Sequence, residues 1–303
     1  MSYRFDFDVS PRKDIRRIAE AEIARAILLL AEQPDGPHLA VHAARKRIKR
    51  LRALYRFAAH TDRSFQRSEN HRLRTIQHGL AHARDAAALV ETVAALKNHT
   101  ITPEEREAIG KVEASLVERR DRLTSKETAL AATIPETIRA LEKSRQALAS
   151  LEIDKDRHGF AIQLASRWEK TTRTALGLMT ISKEGNNPAA LHDLRKRCQD
   201  RWMQALLLRS AWPAGFTALA HQSKELIDLI GLSRDLGLLH DAIRDEPQLD
   251  ITHDEETLIA PLINRLQSDL NRQAVVKAHE LFITPTNRER QTIAMLILGR
   301  MDR

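Results

Sequence analysis

The octapeptide Val41-His42-Ala43-Ala44-Arg45-Lys46-Arg47-Ile48 returns 150 residues later as Leu191-His192-Asp193-Leu194-Arg195-Lys196-Arg197-Cys198. The shared pattern, apolar-His-x-x-Arg-Lys-Arg, recurs at half the length of a 303-residue chain. A second echo follows each copy in the same order. Ile76 to Asp85 (IQHGLAHARD) resembles Leu232 to Asp241 (LSRDLGLLHD), with Leu80 over Leu236 and Asp85 over Asp241. A repeat this long demands two comparable bundles, one from 1–150 and one from 151–303, within a single domain 1–303. It does not suit a solenoid of short units.

The punctuation of the chain says what those bundles are made of. There are only ten glycines and ten prolines, and aromatics are 4% of the residues. A β-sandwich or barrel needs more turn formers and more strand-favouring rings. The breakers present sit where helices start. Ser10-Pro11, Asp35-Gly36-Pro37, Thr102-Pro103-Glu104-Glu105, Asn187-Pro188 and the Thr286/Glu289 pair all read as helix starts. Between them apolar residues run at helical spacing, as in Ile15, Ile18, Ala19, Ala26 and Leu29. The spacing predicts helices near 11–32, 37–60, 66–97, 104–130, 136–150, 157–181, 188–210, 214–243, 254–282 and 287–302. Tyr3 to Val9 alternates like a strand but has no partner, so an extended tail is expected there. The segment 104–150 alternates charge densely and reads as an exposed helical hairpin. The expected fold is all-α: two duplicated halves, each a helical bundle.

Several function classes drop out on composition. The single cysteine, Cys198, excludes an intrachain disulfide framework and a cysteine-rich zinc site. No apolar run approaches the roughly 18 residues of a membrane span, and the opening Met1-Ser2-Tyr3-Arg4-Phe5-Asp6 has no apolar signal core. A cytoplasmic location and no membrane contact are expected.

The net charge of +8 is concentrated. Residues 1–99 hold 19 Lys+Arg and 11 Asp+Glu, whereas 151–303 hold 21 of each. Between His38 and Arg56 stand Arg45, Lys46, Arg47, Lys49, Arg50, Arg52 and Arg56 with no acid. Their mutual repulsion calls for an anion. On a helical wheel Val41, Ala44, Ile48, Leu51, Tyr55 and Ala58 form the core stripe. His42, Arg45, Lys46, Lys49, Arg52 and Arg56 form a separate ladder, its rungs about 5–6 Å apart. Arg47 and Arg50 point elsewhere and read as surface charges. One phosphate needs two or three such groups, so a ladder of six suits a linear polyanion.

The second copy keeps His192, Arg195 and Lys196, then replaces Lys49, Arg52 and Arg56 with Gln199, Trp202 and Leu206. Lys170 and Arg173 on the preceding helix are candidates to extend it, and Arg17 is in reach of the first ladder. Arg167 and Arg173 are too far apart around their helix to share a narrow stripe. His71, His78 and His82 share a helix face, but no carboxylate spacing completes a metal site. Asp85 and Asp241 follow Arg84 and His240, and the simplest role for each is to orient a basic neighbour.

These residues resemble the CHAD domain family, named for conserved histidines in an α-helical domain. The resemblance runs over most of the chain. It is carried by the opening MSYRFDFDVSPRKDIRRIAEAEIARAILLL, by VHAARKRIKRLRALYRF, HARDAAALVETV, LHDLRKRC and LGLLHD. It implies two pseudo-symmetric antiparallel bundles of the four-helix type related by a pseudo-twofold axis, with the basic helices of both halves lining a central positive groove. It further implies non-catalytic binding of inorganic polyphosphate and association with polyphosphate granules; no cofactor or metal is expected. His42, Arg45, Lys46, Lys49 and Arg52 match the family's first basic helix, and His192, Arg195 and Lys196 its second. Gln199 and Trp202 depart from it.

Two other functions remain open. A sequence pI near 9.8 allows nucleic acid, although the basic helix offers only Tyr55 and Phe57 as stacking rings, and Tyr55 lies on the core stripe. The dipeptides His192-Asp193, His240-Asp241 and His253-Asp254 are of the kind found in all-helical metal-dependent phosphohydrolases, but His42 is followed by Ala43. No residue singles out a protein partner.

Overall fold

A computed structural model describes residues 3–59, 61–80, 82–124, 128–153, 156–185, 188–282 and 286–301. The chain is all-α, with eleven α-helices and no strand among the described residues. Two compact units form. The first is Met1–Leu80, Leu130–Glu225 and His279–Arg303; the second is Ala81–Ala129 and Leu226–Ala278. Each draws on both halves of the chain.

The first unit holds α1 (Pro11–Glu32), α2 (Pro37–Ala58), α3 (Arg63–Gly79), most of α6 (Thr128–Ala147), α7 (Arg157–Gly185), α8 (Pro188–Leu208), the start of α9 (Pro213–Asp245) and α11 (Thr286–Met301). α2 packs against α1, α3, α7 and α8, and α7 packs against α8 and α11. All six residues of the expected α2 core stripe are buried, and so are Ala53, Leu54 and Phe57. The wheel gave one stripe because it assumed one partner; a helix packed on several sides buries a wider arc. Tyr3, Phe5 and Phe7 also lie in this core. The segment expected as an extended tail is packed, with Phe5 N–H donating to the Leu207 carbonyl at 2.8 Å and the Ser210 hydroxyl and Arg157 guanidinium donating to the Phe5 and Phe7 carbonyls.

The second unit holds α4 (His82–Lys97), α5 (Pro103–Thr124), the remainder of α9 and most of α10 (His253–Leu281). Its core is Leu89, Val93, Leu96, Ile109, Val112, Leu116, Leu236, Leu239 and Ile263 with their neighbours. Across it Arg119 forks onto Glu246 at 2.7 and 2.9 Å.

Helix starts follow their capping chemistry where the side chains are not needed elsewhere. Thr102 and Glu105 exchange both bonds of a capping box. Thr252 and Glu255 form a second box, which the sequence reading missed. Ser10 stands at the α1 N-cap without a side-chain cap bond. Glu289 reaches Thr172 and Arg201 instead of closing a box at Thr286. Asn187 lies outside the described residues.

Two expected elements are divided. The helix expected over 66–97 ends at Gly79 and restarts at His82. Glycine costs about 1 kcal/mol in a helix interior relative to alanine, and Leu80 is buried in the first core while Leu89 is buried in the second. The hairpin expected over 104–150 is likewise split: α5 packs against α4 in the second unit, whereas most of α6 belongs to the first.

Cys198 is fully buried on α8, and burial pushes its thiol pKa up to about 12. The thiol is the unreactive form near neutral pH. Native protein at pH 8 is expected to resist a thiol-specific alkylating reagent, with one thiol per chain reacting after unfolding in guanidinium. Rapid modification of the native protein would contradict this burial.

Candidate functional site: a cationic face on the first unit

α2 carries the ladder because Pro37 starts it without an acid in its first turn and its apolar positions hold the opposite side in the core. His42, Arg45, Lys49, Arg52 and Arg56 are half-buried and Lys46 is exposed. Arg45 donates to the Gln77 carbonyl at 2.5 Å, and Arg52 donates to the Gln77 side-chain oxygen. One residue of α3 thus pins two rungs. Burial, then the nearby charges of Arg56 and Arg74, lowers the Arg52 pKa to about 10. That guanidinium stays charged at neutral pH, but among neighbours of its own sign.

Arg47 and Arg50 do point away from the ladder, and they are not plain surface charges. Glu22 of α1, buried, lies 3.4 Å from Arg47 and 3.8 Å from Arg50. Arg50 also sits over the Tyr3 ring, 5.5 Å from its centroid. These two cations hold α1 and the N-terminal segment onto α2.

Two recesses meet at Arg56. The first, of about 310 Å³ between α2 and α3, is lined by Arg52, Arg56, Gln66, Arg67, Asn70, His71 and Arg74. No acid lines it. The second, of about 80 Å³ between α2, α7 and α8, is lined by Arg56, Arg167, Lys170, Arg197 and Asp200 together with uncharged residues. There Arg56 donates to Asp200 at 2.7 Å, Arg197 lies 3.0 Å from the same carboxylate, and Arg167 donates to the Arg56 carbonyl at 3.0 Å.

The expected site residues divide accordingly. Arg52, Arg56 and Lys170 line the recesses. His192 and Arg195 are half-buried near the start of α8, where exposed Lys196 pairs with Asp193 at 2.8 Å. Arg173 pairs with Glu169 at 2.5 Å, and the other oxygen of that carboxylate is 3.5 Å from Arg290 of α11. Arg173 therefore faces the α11 side of α7. Arg17 is bound by Asp14 at 2.6 Å and by the Arg4 carbonyl at 3.0 Å, so it braces the N-terminal segment. Trp202 and Leu206 pack against the core, which accounts for the loss of the ladder at those positions in the second copy.

Of the cations that line the recesses, Arg67, Arg74 and Arg197 were not picked out from the sequence, and Arg167 was set aside as too far around its helix from Arg173. The signal on α3 was present: Arg67, His71, Arg74 and His78 are spaced at i, i+4, i+7 and i+11, one helix face. The histidines were weighed only as metal ligands and set aside, and the arginines on the same face went unread. Among the described residues no three His, Cys, Asp or Glu side chains converge as metal ligands. Asp241 pairs with Arg244 at 3.4 Å, an exposed contact on α9; the side chains of Asp85 and His82 lie outside the described residues.

No helix among the described residues is long and apolar enough to cross a membrane. A search among curated proteins finds no match. A model of the CHAD domain matches residues 21–244, a span that contains both basic motifs, the α3 face and both recesses, and the chain belongs to the CHAD domain family.

Proposed function

We propose that the protein binds inorganic polyphosphate without transforming it. The polyanion follows the α2 ladder from His42 to Arg56 and enters the recess between α2 and α3. The observation that carries this reading is the acid-free recess. Arg52, Arg56, Arg67, Arg74 and His71 converge there with no carboxylate among the lining residues, and the charged form of Arg52 is disfavoured first by burial and then by Arg56 and Arg74. Such a cluster is relieved by a ligand that brings several negative charges at once. A ladder opening into a recess fits a chain of phosphates better than one phosphate. In this reading His192, Arg195 and Lys196 supply the weaker face of a groove shared by the two basic motifs, and the protein resides in the cytoplasm at polyphosphate granules.

Nucleic acid is the competing polyanion. Tyr55 and Phe57 are both buried, so α2 offers no exposed ring on which a base could stack. Long-chain polyphosphate is therefore expected to displace DNA and RNA in a competition titration.

The direct test is a polyphosphate titration over a range of salt concentrations. Each Lys or Arg contact releases counterions, so log affinity should fall linearly with log salt, with a slope of several units. Replacing Arg45, Lys46 and Lys49 with Ala should weaken binding and flatten that slope. A salt-independent affinity, or one unchanged in this variant, would remove polyphosphate from the ladder. Release of orthophosphate on adding a divalent metal would instead indicate a hydrolase.

A further inference from the structure

The recess between α2, α7 and α8 is lined by one carboxylate, and it is largely buried. The Asp200 side chain is 12% exposed; its Oδ1 accepts from Arg56 Nη2 at 2.7 Å, and its Oδ2 lies 3.0 Å from Arg197 Nη1. Asp200 also favours the charged states of Arg52 and Arg167. A single acid on α8 thus serves cations from α2, α7 and α8. Arg56 lines both recesses, and only the second contains this acid. A guanidinium is a rigid plane with five N–H donors; a carboxylate on one edge fixes the plane and leaves the remaining donors for another acceptor.

We infer that Asp200 is a positioning residue of the anion site: it grips Arg56 from the α8 side and so presents the other donors of that guanidinium to the recess between α2 and α3. The inference rests on the polyphosphate reading of that recess. Charge arithmetic alone points the opposite way. Asp200→Asn removes a negative charge from the path of a polyanion, and by Coulomb's law that change tightens binding. Positioning requires that the same substitution weaken it.

The test measures the dissociation constant for long-chain polyphosphate at one fixed salt concentration. It compares wild type, Asp200→Asn, Arg56→Ala and the double variant, with thermal unfolding of each. Asp200→Asn is expected to bind about three- to tenfold more weakly, and in the Arg56→Ala background that weakening should disappear, leaving affinity unchanged or tightened by the lost charge, as it must when one residue acts through the other. Tighter or unchanged binding by Asp200→Asn would overturn the inference. So would an equal weakening with and without Arg56, which would assign Asp200 to general packing. Asp200→Glu covers the case in which the Asn variant does not fold. It keeps the charge but moves it by one methylene, so weaker binding is expected, and wild-type affinity would overturn the inference. Failure of wild type itself to bind polyphosphate would instead overturn the functional reading on which this depends.

Discussion

The variant carrying Arg52→Ala, Arg67→Ala and Arg74→Ala is expected to lose about 100- to 1000-fold in affinity for long-chain polyphosphate at low salt. A hydrogen bond to a charged group contributes roughly 1.5–3 kcal/mol, and every 1.4 kcal/mol is about tenfold. Three such contacts, less than fully additive, give that range. The salt slope should fall by about two units with three cations removed. Arg67 and Arg74 are exposed, so the fold should persist, and circular dichroism with a melting curve would establish that. The control is Arg12→Ala, Lys13→Ala and Lys143→Ala, exposed cations outside the recesses that carry the same charge change. If both triples lost affinity equally, binding would follow net charge and not this recess.

Arg201→Ala is expected to cost the first unit about 3–5 kcal/mol, because it removes the buried member of a charge pair and leaves Glu289, 16% exposed, without it. Arg201 is 1% exposed. It lies 3.0 Å from Glu289 of α11, reaches the Thr172 hydroxyl of α7, and sits over the Trp168 ring, 3.7 Å from its centroid. Burial lowers its pKa to about 10, and Glu289 works against that shift. Three helices are joined through this one side chain. At roughly 2–4 °C per kcal/mol, the melting temperature should fall by about 10 °C. Replacing both charges, Arg201→Met with Glu289→Leu, is expected to recover most of the loss, since a hydrophobic pair of similar volume often matches a buried ion pair. A single variant that melts within a degree of wild type would remove Arg201 from the core framework.

Helix content was legible because it is written locally. Proline starts, Thr-x-x-Glu boxes and an apolar residue every three or four positions place most helix boundaries within a few residues of the observed ones. The core stripe of α2 was legible for the same reason. The break between α3 and α4 was not, because Gly79 interrupts a periodic pattern without ending it; what separates the helices is that Leu80 and Leu89 enter different cores. Glu289 shows the opposite failure. Its spacing from Thr286 is that of a cap, but its carboxylate meets a buried guanidinium that no local pattern announces.

The sequence alone determined the helical class, the paired His-x-x-Arg motifs and a ladder of cations on one face of α2, since each depends on residues within a few turns of one another. Tertiary structure alone decided which cations work together. Arg67 and Arg74 join Arg52 because α3 packs on α2, Arg197 joins Arg56 through Asp200, and Arg47 and Arg50 are claimed by Glu22 at the α1 contact. A helical wheel gives the direction of a charge from its own axis. Whether Glu22 or Asp200 meets it there depends on partners distant in the chain, which no wheel of one helix can show.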